Sequence, residues 1–433
     1  MRYISRYLSL IALVLVAASS MTSCMKDKCS TETRYTVFEP VYMSYDSMRN
    51  AVASEQPRAL DNPGKIWTNE NYLYIVETDK GVHVIDNSNP SSPQNIAFIN
   101  IPGNIDIAVR NNILYADSYI DLVAIDISNP QNATEVKRVQ NALPQRVYEY
   151  GYYYDATKGV PIEWVKTEKV ETYETNCGNG GGYYYMEGDM VNMGGTPTVS
   201  PSLSSNGSGG GRDVGGRGGS MARFTIYGNY LYVVDNSTLH LYDISNPSNP
   251  SAGSDVSLGW NIETIFPAQG HLFIGSTSGM HIYNLDNPAN PTWVSTYEHV
   301  SSCDPVVVQG DYAFVTLRSG TPCQGFTNTL EVVDISNMSS PTLLKSYEMH
   351  NPHGLAVRGN NLFLCEGDQG LKTFDITDKN AISNNLLQHL QGMQAYDVIA
   401  MNQTLMLIGA NGLFQYNISD PANLQLLSTI AVQ

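Results

Sequence analysis

Along most of the chain, short apolar runs rich in Val, Ile, Leu and Tyr alternate with clusters of Asn, Ser, Gly and Pro. Runs this short, bounded by turn formers, predict β-strands. The pattern is plainest where NIDIAV (104–109), ILYAD (113–117), DLVAIDI (121–127) and TEVKRV (134–139) follow one another as four strands. The first two are joined by residues 110–112, and the matching joints further on read YGN (227–229), QGD (309–311) and RGN (358–360). Gly and Asn there accept the positive φ that tight hairpins require.

The third strand ends in AIDISNP (124–130), and relatives of that stretch recur as VHVIDNSNP, HLYDISNP, HIYNLDNP, LEVVDISNM, KTFDITDK and FQYNISDP. The acid or amide after each apolar run is Asp86, Asp126, Asp243, Asn284, Asp334, Asp375 or Asn417, at spacings of 40, 117, 41, 50, 41 and 42 residues. Asx and Ser side chains bond nearby amides, and the Pro that often follows removes a ladder donor, so the sheet must break there. The marker is thus structural punctuation. Seven four-stranded repeats of about 40 residues predict an all-β, seven-bladed β-propeller over 64–432. The long spacing implies an insertion over 140–220, between blades 2 and 3.

LYADSYIDLVAIDISNP (114–130) and its relatives resemble LVIVD repeats, found in propeller-like surface proteins of bacteria of the Bacteroidetes type. The resemblance covers 64–432 apart from the insertion and is specific for architecture. It implies no common activity, so function must be read from the site.

Composition agrees: charged residues are 15%, against 28 Tyr, 36 Gly and 21 Pro. The formal charge of −17 becomes −19 once residues 1–23, with Arg2 and Arg6 and no acid, are removed, which disfavours nucleic acid as a partner. Those residues read as a lipoprotein signal peptide: two Arg, an apolar run LSLIALVLVAA (8–18), then SSMTSC ending at Cys24, the expected lipidation site. A cell-envelope, outer-membrane lipoprotein is expected, facing the surface or the periplasm. Residues 24–63 form a tether and N-terminal extension. Closure of the ring is open between simple docking of blade 7 on blade 1 and a shared strand from 35–43.

In a propeller the first strand of each blade lines the channel, so the marker turns share one face and the irregular loops share the other. The insertion belongs with the irregular loops. Its first half is Tyr-rich and predicts a projecting hairpin; its second half, 177–220, is dominated by Gly, Ser and Asn. GGRGG (215–219) follows no strand and opens no helix, so it is not read as a phosphate loop. Aligning each first strand on the Leu that follows brings Lys65, Asp106, Arg223, Glu263, Asp304, His353 and Asp397 to the channel mouth, with Trp260 beside them. Such a ring can bind a polar ligand or a hard cation such as Ca²⁺; equally, acids that open strands cap backbone amides. Asp79, Asp117, Asp121, Asp235, Glu366 and Asp368, with Tyr119 and Tyr396, extend this into an acidic face with aromatics, suited to carbohydrate or peptide.

Cys303 and Cys323 fall on that face, in an exported chain where a disulfide is permitted. Cys365 ends an apolar strand and reads as a buried thiol. There is no G-x-S-x-G, H-E-x-x-H or CxxC, and the two His of MHNPHG (349–354) have no fixed geometry for a metal. The sequence therefore favours a non-catalytic binding platform for a protein or glycan. A metal-assisted propeller hydrolase or lyase using the mouth acids, and a structural subunit of an envelope complex, are the alternatives.

Overall fold

The computed structural model describes residues 28–146, 154–176, 217–299, 305–319 and 327–433. They fall into two compact units. The larger, built from 44–146 and 217–433, is a seven-bladed β-propeller of antiparallel sheets. Blade 1 runs Pro63–Asn69, Tyr72–Glu77, Gly81–Asp86 and Gln94–Asn100 from the channel outward. The innermost strands of the others are Ile107–Arg110, Phe224–Tyr227, Ile262–Ala268, Val306–Gln309, Leu355–Arg358 and Asp397–Met401. Inner hairpins turn through positive φ as expected, for instance at Asn111 (52°) and Gly228 (57°).

Strands buried on both faces carry the unbroken apolar runs, as in Tyr72–Glu77, while outer strands alternate. Their side chains form a core that passes from blade to blade. One cluster joins blades 1 to 3 through Val84, Leu114 and Leu231, and another joins blade 7 to blade 1 through Ile408 and Ile75. Each such aliphatic residue contributes roughly 1.5–3 kcal/mol on burial. Among the described residues no helix is long and apolar enough to cross a membrane.

All seven markers close as Asx turns. The side-chain oxygen of Asp86 accepts from the amide of Ser88, and Asp126, Asp243, Asn284, Asp334, Asp375 and Asn417 repeat the bond two residues on. The ring is closed by neither a complete shared strand nor plain docking. Leu60 forms a parallel bridge with Val432, and the amide of Gln433 donates to the Leu60 carbonyl at 2.9 Å. Blade 1 also gains two strands: Ala53–Glu55 on its outer edge and Arg217–Gly218 on its inner edge.

The smaller unit is a two-stranded ribbon. Lys28–Met43 pairs antiparallel with Val160–Asn176, so 35–43 belongs to the ribbon and to no blade. The Tyr-rich half of the insertion pairs with the N-terminal extension, not with itself. At about 3.3 Å per residue the ribbon is roughly 50 Å long. Val165, Val170 and Tyr173 stay exposed along it, while Tyr35 donates to Glu171 at 2.5 Å. Tyr148, Tyr150 and Tyr183–Tyr185 lie outside the described residues.

Candidate functional site

Strand register decides which side chains meet at the mouth. Asp397 pairs with Ile408 and Thr264 with Gly275, each the fifth residue of its blade's second strand. The same rung holds Pro305, whose carbonyl accepts from Thr316, Gly354, whose carbonyl accepts from Cys365, and Arg223, whose carbonyl accepts from Val234. Lys65 and Asp106 immediately precede the paired residues Ile66 and Ile107. The inner ring is therefore Lys65, Asp106, Arg223, Thr264, Pro305, Gly354 and Asp397. Glu263 sits in a bulge one residue before the ring and His353 likewise precedes it, because neighbouring strand residues face opposite ways. Asp304 precedes Pro305 by one and lies outside the described residues.

Two members of the inner ring neutralise each other. Lys65 Nζ meets Asp106 Oδ2 at 2.8 Å with both side chains 4% exposed. The same oxygen accepts from the amides of Arg223 at 2.6 Å and Phe224 at 3.2 Å. Burial holds the Lys65 ammonium below its usual pKa, against the opposing pull of Asp106. At Gly354 a Cβ would lie 2.0 Å from Asp397 Oδ1, so the bare backbone of blade 6 is what admits the buried Asp397 carboxylate.

Acids expected on the surface are also largely internal. Asp117 accepts from the amides of Ile105 and Asp106 and from Arg146, and burial raises its pKa despite those donors. Asp121 is clamped by Arg49 at 2.8 Å and Arg138 at 3.2 Å. Glu366 meets Lys372 at 3.1 Å. Burial works against Glu77, but His83, Lys80 and the amides of Asp61 and Asn62 outweigh it and bring the group down to about 2. Each carboxylate ties a loop to the end of a strand. Tyr119 is buried as well, under the Arg146 guanidinium at 4.7 Å. Asp368 and Trp260 are exposed, Trp260 at 78%.

One step outward lies a second tier. Glu263 of blade 4, His353 of blade 6 and Tyr396 of blade 7 each precede the inner ring by one residue, and Arg318 closes the strand end of blade 5 between them. The His353 and Tyr396 rings are 5.6 Å apart. Burial, reinforced by Arg318, pushes the His353 imidazole down to about 3, so it is neutral at physiological pH. Burial also lowers the Arg318 pKa, opposed by Glu263 and Tyr396. Glu263, Arg318 and Tyr396 are all half-buried and therefore reachable. Sequence reasoning missed Arg318; its only signal is a base directly after a buried strand where no other blade carries one.

The floor beneath this tier is the Gly-rich segment. Gly218 pairs with Trp67 of blade 1, the hydroxyl of Ser220 accepts from Leu355 of blade 6 at 3.0 Å, and the Ala222 carbonyl accepts from Ile265 of blade 4 at 2.8 Å. Residues 218–222 are all buried, so they fill the axial space. Only glycine fits at 218, where a Cβ would lie 2.5 Å from the Trp67 ring.

Among the described residues no three His, Cys, Asp or Glu side chains converge as a metal site. His350 is exposed and approaches Asp368 at 3.7 Å, apart from the buried His353. Cys365 is a free, buried thiol, its pKa raised by that burial. Cys24, Cys303 and Cys323 lie outside the described residues.

Repeats and register define a seven-bladed β-propeller whose axis is crossed by residues 218–222. The chain carries LVIVD repeats: the family model for the LVIVD repeat matches 63–98, 104–141, 218–256 and 302–349, which are blades 1, 2, 3 and 5. Among solved structures, the periplasmic gluconolactonase PpgL of Pseudomonas aeruginosa aligns with TM-score 0.53 at 10% identity, over 86% of this chain and 96% of that one. A protein from Lactobacillus plantarum aligns with TM-score 0.52 at 11% identity, again over 86% and 96%. At these identities the likeness is one of fold. No curated protein sequence matches the chain.

Proposed function

We propose that the protein is a non-catalytic binding platform of the cell envelope, lipid-anchored through Cys24, that holds a glycan or protein ligand at the channel mouth. The observation that carries this reading is the contrast between the two tiers. In the inner ring Lys65 and Asp106 neutralise each other, and Asp106 also accepts from the Arg223 amide. Of the second tier, Glu263, Arg318 and Tyr396 are half-buried and His353 is buried, above a floor closed by residues 218–222. A closed floor suits retention of a ligand better than passage through the channel.

The test is capture from glycan and envelope-protein fractions by the full chain, with Ca²⁺ present and with it chelated. The expected result is a partner retained unmodified and lost when Arg318 is replaced by Gln. Turnover of the retained partner would sink the non-catalytic reading. Retention that depends on the Tyr-rich insertion but not on Arg318 would move the platform away from the channel mouth.

A further inference from the structure

Among the described residues, only blade 1 carries a further strand outside its fourth. Ala53–Glu55 pairs antiparallel with the end of Gln94–Asn100 and extends that sheet outward. The neighbouring outer strand, Thr134–Val139 of blade 2, ends its sheet with no such addition. Between the two lies a groove of about 740 Å³, lined by Arg49 and 52–54 on one side and by 131–138 on the other. We infer that this groove is a docking site for an extended peptide segment, which adds to blade 2 as a fifth strand and sets an acidic side chain against Lys137. The site lies on the outer edge of the propeller and does not rest on the channel-mouth reading.

The free edge comes first. An edge strand presents a row of N–H and C=O groups with no ladder partner. Six residues at about 3.4 Å each make this edge roughly 20 Å long, room for about five or six residues of ligand. Ala53–Glu55 shows that an outer strand of this repeat accepts a further one. The outer strands of blades 4 to 7 also end their sheets, but no added strand stands opposite them. Here the facing wall is fixed in place. The Ser54 hydroxyl accepts from the Ala133 amide at 2.8 Å and donates to the Pro130 carbonyl at 3.3 Å, while Asn100 donates to the Ala51 carbonyl at 2.7 Å. A preformed slot spares the ligand the cost of ordering it.

Side chains select the ligand. Val136 is the bulge residue between Glu135 and Lys137 and is 40% exposed, an apolar point on the strand. Arg49 grips Asp121 through Nε at 2.8 Å and Nη2 at 3.2 Å, and Arg138 reaches Asp121 at 3.2 Å and Glu135 at 2.6 Å. Two bases are thus met by two acids. Lys137 is the charge left over: half-buried in the lining, it has no acidic partner among the described residues. Asp46 and Glu55 lie outside the lining, and Glu55 pairs with Arg58 at 3.9 Å. A lone ammonium beside a free strand edge suits a strand-forming segment that carries one acid.

The full chain is titrated with a capped hexapeptide of alternating valine and threonine in which one central threonine is replaced by aspartate. Parallel titrations use the asparagine counterpart and a copy N-methylated throughout. Fluorescence anisotropy reads affinity and hydrogen exchange reads the site. The aspartate peptide is expected to bind and to slow exchange of the 134–139 amides, but not of those in Thr292–Glu298 or Thr342–Glu348; the N-methylated copy is expected to fail. Lys137→Met should erase a roughly two- to fivefold preference for aspartate over asparagine, the scale of a partly exposed ion pair. Ala53→Trp, at an exposed position on the facing wall, should fill the groove and abolish binding. Unchanged urea midpoints in both variants exclude misfolding, and capture at the channel mouth should survive both, so the two sites fail independently. No protection of 134–139 at millimolar peptide, equal binding of the N-methylated copy, an acid preference that survives Lys137→Met, or full binding by Ala53→Trp would each overturn the inference. A dimer abolished by Ala53→Trp, with no response to peptide, would also overturn it, because a second copy would then be the occupant.

Discussion

The hydroxyl of Tyr115, on blade 2, donates to the carbonyl oxygen of Pro247, the residue that ends the marker turn of blade 3, at 2.8 Å. The same marker position serves at other junctions. Tyr232 reaches Pro288, Ser295 reaches Met338, Tyr347 reaches Lys379 and Ser428 reaches Pro90. Each of these five markers thus breaks its own sheet and offers the freed carbonyl to the preceding blade. That explains why Met338 and Lys379 are tolerated where other copies have Pro: the backbone oxygen makes the contact.

Tyr115→Phe should therefore cost about 1 kcal/mol, the net value of one partly buried hydrogen bond. A urea midpoint lowered without a change in slope is the expected signature. A loss of several kcal/mol would mean that the ring, not the hydroxyl, carries the junction.

The Lys65–Asp106 pair tests whether the inner ring is structural. Removing one partner leaves an uncompensated buried charge, so Lys65→Met should destabilise by roughly 3–5 kcal/mol. Asp106→Asn should cost a similar amount. The double variant should recover part of either loss, and equilibrium unfolding of all three measures the coupling.

Gly354→Ala reads the register directly. The new Cβ would meet the Asp397 carboxylate at 2.0 Å, and overpacking on this scale costs about 1–3 kcal/mol. Gly228→Ala, at φ 57° with nothing within 4 Å, provides the control, since it carries only the backbone penalty of roughly 1–2 kcal/mol. If 354 were one step off the ring, its substitution would be the milder of the two.

His240 makes the stability pH-dependent. It lies 2.8 Å from Asp235 and 3.1 Å from Asp255, which sits between the two pieces of the outer strand of blade 3. Burial opposes protonation, but the two carboxylates prevail and raise the His240 pKa. Burial likewise works against the Asp235 carboxylate, yet His240 and the amides of Ser237 and Thr238 bring its pKa below the usual value. A raised folded-state pKa gives stabilisation that is complete below the unfolded value near 6.5 and is lost as pH rises through the folded one. The melting temperature of the wild type should exceed that of His240→Gln most at about pH 5.5, with the gap narrowing as pH rises past the unfolded value near 6.5. A gap constant across that range would mean that His240 is neutral throughout.

Local chemistry made the repeat legible. Alternating runs, Asn and Gly at hairpin turns and seven Asx turns all act within a few residues, so the strands, their breaks and the blade count could be read directly. Legibility ended wherever a one-residue offset or a distant pairing decided the outcome. Glu263 and His353 were assigned to the inner ring with Lys65, yet the bulge at Glu263 and the bare rung at Gly354 move both one step outward. Arg318 joins them only because four blades converge on one axis.

The sequence by itself determined that the chain is an array of seven similar sheets, because strand periodicity and turn geometry are short-range properties. Tertiary structure alone decided that 28–43 pairs with 160–176 and that 218–222 fills the axis. Tyr35 and Glu171 are 136 residues apart, and Ser220 and Leu355 are 135 apart. Contacts at such separations leave no local periodicity to read, and their closure is set by which buried amides and carbonyls still need partners once the blades have packed.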